Sequence, residues 1–213
     1  MASILIDNSS ISYFCAPNSM ECHTIRIMLF EKDVNVKVHQ DLEEKKLPRQ
    51  ITDNNPYLSL PTLIDRELVL YFPEVIIDYL EERFPHPPVL PVTPSNRAQL
   101  RLYLQRLKND WLNPAEELLN LNKRSEKKRK ELTKQIRDSL VSSIDLFTRE
   151  DFLLSSDFSL LDCYVLPFLW RLNWMGINIK NPKTKPMVKY MQRMFKRQSF
   201  LRSCTQFERS MVV

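Results

Sequence analysis

Four cysteines, three histidines and one serine are the side chains best suited to chemistry. Cys15, Cys22, Cys163 and Cys204 include no C-x-x-C pair and no metal spacing. His23, His39 and His86 are too scattered to complete a ligand set, so neither a metal nor a cofactor is expected. Cys15 and Cys22 flank the expected start of a helix, where a thiol pKa can fall, so a redox role is conceivable. Without a C-x-x-C pair it is the weaker reading. Ser19 stands at the same helix start. It can serve as a cap for the helix, since serine is among the commonest caps.

Composition narrows the field further. The chain has 213 residues, 43% of them apolar and 27% charged, with formal charge +5. That is enough to bury a full core in one or two domains. One glycine in the whole chain excludes a glycine-rich phosphate loop or dinucleotide fingerprint. Turns must then rest on the 14 prolines and on Asn, Asp and Ser. The cysteine usage suggests reduced thiols and a cytoplasmic setting. Residues 1–10 lack the basic start and apolar run of a signal peptide, and no apolar run approaches a membrane span.

The elements that position these residues follow from periodicity. Ile11 to Phe14 reads as a strand and Met20 to Lys32 as a helix burying Ile25, Met28 and Leu29. Val34 to Val38 alternates like a half-buried strand, and a short helix starts at Pro48. Thr62 to Ile64 and Leu68 to Tyr71 form a hairpin across Asp65-Arg66-Glu67. Leu60-Pro61 enters that hairpin directly from a loop, a place where a cis X–Pro bond would be informative. A helix from Pro73 buries Val75, Ile76, Tyr79 and Leu80, and Phe84-Pro85-His86-Pro87-Pro88 ends it. This β-α-β-α-β-β-α unit spans residues 1–88.

Residues 89–213 read as an all-helical second domain. Arg97 to Leu121 carries Leu100, Leu104, Leu107 and Trp111, with a kink at Asn113-Pro114. Ser125 to Arg149 carries Leu132, Ile136, Leu140, Ile144 and Phe147. Ser159 and Asp162 resemble a capping box at the head of a helix running to Trp174, apolar nearly all round. Thr184 to Arg197 and a helix from Ser199 to Arg209, broken near Thr205, complete the chain. Lys123 to Arg137 holds eight Lys or Arg and two Glu. It reads as a solvated helix face, with weak phosphate contact as the alternative.

An α/β unit with Leu60-Pro61-Thr62-Leu63, followed by a helical half with Ser159-x-x-Asp162, resembles the glutathione-transferase fold. The fold class expected is therefore a thioredoxin-like α/β domain plus an all-α domain. The resemblance implies a cis Pro61. A narrower likeness lies in Leu63-Ile64-Asp65-Arg66-Glu67-Leu68, in Tyr79 to Pro88, in Phe158 to Tyr164, in Leu169-Trp170-Arg171-Leu172 and in Ser199-Phe200-Leu201. These runs resemble the stringent starvation protein A family.

That likeness implies a transferase fold without transferase activity, bound to bacterial RNA polymerase holoenzyme, sigma factor and core, under starvation. It implies that Pro85, His86 and Pro87, with Pro88, form the partner-binding surface. It also implies a homodimer, or a heterodimer with a paralogue. Ser19, Leu60, Pro61, Phe72 and Pro73 become vestigial glutathione-site positions. Active transferases usually carry an acid and a serine where this chain has Phe72-Pro73. Phe72 offers neither group, and Pro73 removes one backbone N–H. The alternative is a glutathione-dependent transferase using Ser19; a third reading is a dimeric scaffold without polymerase contact.

Overall fold

The computed structural model describes residues 10–40, 47–121, 125–179 and 181–211. The chain divides into two units, Met1–Pro88 with Arg202–Val213, and Val89–Leu201. The last dozen residues thus group with the first unit, whereas the sequence assigned them to the helical domain. The reason is a buried ion pair to the first helix, described below.

The first unit is built on a four-stranded mixed sheet. Its strands are β1 (Ile11–Phe14), β2 (Val36–His39), β3 (Thr62–Asp65) and β4 (Leu68–Tyr71), in the order β2-β1-β3-β4. β1 pairs parallel to β2 and antiparallel to β3, and β3 pairs antiparallel to β4. A parallel pair needs a crossover, and α1 (Met20–Glu31) supplies it. β1 is central and all four of its residues are buried. Phe14 and Ile64 form a core with Ile51 of α2 (Arg49–Asn54), against which Leu47, Leu60 and Val69 pack.

α3 (Pro73–Arg83) begins with proline in its first turn. It buries Ile76, Ile77 and Leu80, while Val75 is 45% exposed and Tyr79 half-buried. The expected apolar face is therefore rotated by one position, toward Ile77. Tyr79 lies at its edge, its hydroxyl donating to Asp65 Oδ2 at 2.5 Å. α1 packs against α3 and is buried on every side from Cys22 to Leu29. Only Ile25, Met28 and Leu29 of that stretch were expected inside.

The second unit is all-helical. α4 (Pro94–Leu107) runs through one π turn (Lys108–Leu112) into α5 (Asn113–Asn120), where Pro114 lies in the first turn. α6 (Glu126–Ser142) stops short of Arg149, and Ile144–Phe147 continues it as a 3-10 turn. α7 (Leu160–Trp170) is the buried centre, with its first ten residues buried. It ends four residues before the expected Trp174. α8 (Lys185–Met194) and α9 (Gln198–Ser203) follow, and α10 (Gln206–Arg209) restarts at the Thr205 cap.

The Ser159–Asp162 capping box is present in full. Asp162 also accepts from Leu153 N at 3.0 Å and from the Tyr190 hydroxyl at 2.6 Å. Burial, against these hydrogen bonds, holds the Asp162 carboxyl above its ordinary pKa. Beside it, Trp111 stacks between Phe147 and Phe168 and donates its indole N–H to Ser139 Oγ.

Candidate functional site

The residues singled out from the sequence fall into two places, both in the first unit. The positions of a would-be thiol-peptide site lie at the start of α1, before β3 and at the start of α3. The proline run lies beyond the far end of α3. Eleven helical residues, about 16 Å, separate the two along α3.

At the first place Ser19 is the N-cap of α1, its hydroxyl oxygen accepting from Cys22 N at 3.2 Å. Leu60-Pro61 is a cis peptide leading into β3, and Pro61 is buried. Phe72 caps α3 with φ 73°, a left-handed backbone that a bulky residue seldom adopts. The residue is 47% exposed, and its ring clusters with Tyr57 and Tyr71 at centroid distances of 5.0–5.9 Å. Tyr57 and Phe72 of this cluster are exposed, Tyr71 is half-buried, and the three side chains include no carboxylate.

Behind Ser19 the two thiols meet. Cys15 and Cys22 are both free and fully buried. The neighbouring Cys15 side chain is the main influence that lowers the Cys22 thiol from 9.0 to about 7, and Cys22 with burial pushes Cys15 up. Ala16 N donates to Cys22 Sγ at 3.3 Å, and Arg26 Nη1 donates to Cys15 Sγ at 3.4 Å. Full burial separates both thiols from solvent, where reactive cysteines need access.

Arg26 continues into a buried network that the sequence did not reveal. Its Nη2 reaches both Glu208 oxygens at 2.7 Å, and its Nε donates to Ser203 O at 2.7 Å. His23 Nδ1 lies 3.1 Å from Glu208 Oε1. A carboxylate only accepts, so that ring nitrogen carries the hydrogen. Thr205 N donates to Glu208 Oε2 at 2.9 Å, completing a second capping box. His23, Cys204 and Glu208 have ligand atoms within 4.8 Å of one another. Each Glu208 oxygen already accepts twice, and the Arg26 guanidinium already supplies the carboxylate's counter-charge. The cluster reads as an anchor that ties α10 to α1. Thr205-x-x-Glu208 is the local sequence signal that could have marked it; nothing local marks Arg26.

At the second place Pro85, His86, Pro87 and Pro88 are all exposed, and His86-Pro87 is cis. Lys32 lies beneath them, its side chain wholly buried. Its Nζ donates to Phe84 O at 2.6 Å and Pro87 O at 2.9 Å, and pairs with Glu81 Oε2 at 2.7 Å. Of the other histidines, His23 is buried in the network above, and His39 is half-buried and stacked on Phe14 at 4.4 Å.

The basic stretch behaves as a helix surface over its described part. Lys123 and Arg124 lie outside the described residues. Leu132, Ile136 and Leu140 of α6 face inward, and Lys128 and Lys130 pair with Glu117 and Glu126 at the surface.

Comparison with known proteins fixes the lineage. Residues 14–88 match the model of the glutathione S-transferase N-terminal domain. The chain is 36% identical over 203 residues to a stringent starvation protein A homologue from Pasteurella multocida, covering 95% of this chain and 94% of that one. It is 35% identical over 205 residues to the homologue from Coxiella burnetii, covering 96% of each. The chain belongs to the stringent starvation protein A family.

Solved structures show the same fold at lower identity. A tau class glutathione S-transferase from mango matches with TM-score 0.79 and 21% identity, over 95% of this chain and 96% of that one. A theta class enzyme from the citrus canker pathogen Xanthomonas axonopodis, solved with glutathione bound, matches at 0.75 and 17%, over 92% and 98%. These likenesses establish a glutathione-transferase-like fold for this member of the stringent starvation protein A family. Among the described residues no helix is long and apolar enough to cross a membrane.

Proposed function

We propose that this protein is a cytoplasmic transcription regulator that binds RNA polymerase holoenzyme through the surface formed by Pro85, His86, Pro87 and Pro88. One observation carries the reading: the proline-flanked imidazole is exposed, while His23 is buried and His39 half-buried. A surface turn built of prolines has little freedom to lose when a partner docks. Membership of the stringent starvation protein A family supplies the partner, the polymerase core with its sigma factor. Its mechanism is adhesive: the body presents the turn and alters how the polymerase engages promoters. A homodimer, or a heterodimer with a paralogue, would present the turn twice. Exposed Tyr57 and Phe72, clustered with half-buried Tyr71, support such pairing. Exposed lysines of α6 allow weak contact with nearby DNA.

The reading includes no glutathione chemistry. Ser19 is engaged as a cap, and Phe72-Pro73 stands in place of an acid and a hydroxyl. A single experiment tests it against a transferase using Ser19. Polymerase holoenzyme should co-purify with the parent protein and be lost when Pro85, His86 and Pro87 are changed together to alanine. Calorimetry of the same samples should register no micromolar glutathione binding. Retained capture by the triple variant, or tight glutathione binding, would reverse the conclusion.

A further inference from the structure

We propose that Lys32 is the positioning residue that sets the shape of the Pro85-His86-Pro87 turn, an inference that rests on the recognition role given to that turn above.

The turn cannot hold itself. Pro85, Pro87 and Pro88 have no N–H, so His86 supplies the only backbone donor among the four. Carbonyls on either side of His86 must therefore find donors elsewhere. Lys32 provides them from the C-terminal end of α1. Its ammonium has three hydrogens and meets three acceptors, Phe84 O, Pro87 O and Glu81 Oε2, within 2.6–2.9 Å. The two carbonyls bracket His86, one before it and one after. Glu81 belongs to the last turns of α3, so the same cation ties the turn to the helix it leaves.

A fully buried ammonium is costly unless it is paired and all its hydrogens are used. A lysine needed only to finish α1 could have left its head in water, as long basic side chains usually do. Here the charge is buried against the underside of an exposed turn. The ionic partner and both carbonyls fix it in one place. The imidazole is then presented from a backbone clamped at both ends. Lys32 itself touches no partner; it acts through the placement of His86.

The test measures affinity for RNA polymerase holoenzyme in four full-length proteins: parent, Lys32→Met, His86→Ala and the double variant. Methionine keeps most of the stem volume and removes the donors. Circular dichroism and thermal unfolding report whether each variant is folded. His86→Ala should weaken binding. Lys32→Met should lose at least about tenfold while folded, the scale of a lost charged hydrogen bond. The double variant should be no weaker than the weaker single, because both changes remove one feature. A merely structural lysine would lower the melting temperature without this non-additivity.

If His86→Ala loses binding but folded Lys32→Met binds within about twofold of the parent, this inference alone is overturned, as it is if the two losses multiply. If the parent does not bind, or His86→Ala binds as the parent does, the recognition reading fails and the inference falls with it. Should Lys32→Met not fold, Lys32→Arg replaces it. Its planar head cannot serve both carbonyls and the carboxylate in the same geometry, so parent-like affinity in that variant overturns the inference.

Discussion

Cys22 gains Cys15 as a neighbour and Ala16 N as a donor, and would keep neither in an unfolded chain. The Cys15 side chain is the largest cause of its lowered pKa. A thiol whose folded pKa falls from 9.0 to about 7 adds stability that is fully present above pH 9 and is lost as pH falls through 7. The parent should therefore gain on Cys22→Ser, by on the order of 2 kcal/mol, as pH rises across that window. Urea unfolding of both proteins through the window measures it; a flat difference would contradict the thiol pairing. At this scale the sequence was informative where a residue's neighbours are local. Ser19 as a cap was legible from its place before α1, and the cis bond at Pro61 followed from the fold resemblance. Lys32 and Glu81 were not, because a charged residue in the last turns of a helix ordinarily faces water.

The helices were located by apolar spacing and their ends by chemistry. Ser159 and Asp162 marked the start of α7, and the structure adds what that box is tied to. Removing Asp162 orphans Leu153 N, Ser159 N and the Tyr190 hydroxyl in a buried setting. Asp162→Ala should cost about 3 kcal/mol, seen in denaturant unfolding. Ends without a strong signal were misplaced. α7 stops at Trp170, and the chain's one glycine, Gly176, takes a left-handed φ of 73° six residues later. Elsewhere Leu58, Arg66, Phe72 and Leu154 adopt positive φ, residues that turn preferences would not select. The face of α3 was read one residue off, since Val75 and Ile77 are equally apolar and only packing separates them.

For the whole molecule, the pattern of one α/β stretch and one helical stretch was plain from the sequence, and so was the fold class. The return of residues 202–211 to the first unit was not. Arg26 and Glu208 are 182 positions apart, and periodicity carries no information at that range. Glu208→Gln would leave a buried guanidinium without its counter-charge and should cost about 3–5 kcal/mol. Arg26→Met combined with Glu208→Leu should recover most of that loss, because a well-packed apolar pair can replace a buried ion pair. Chemical denaturation of the three proteins decides the matter. Equal stability of Glu208→Gln and the parent would contradict the anchoring role.

Because Glu208 comes so late in the chain, Arg26 must wait for it while the ribosome makes everything between. The sheet can assemble early in synthesis, but Arg26, midway along the first helix, stays uncompensated until Glu208 has been made. A nascent chain stalled anywhere before Glu208 carries a guanidinium without its counter-charge, a form that differs from the folded protein at the centre of its first helix.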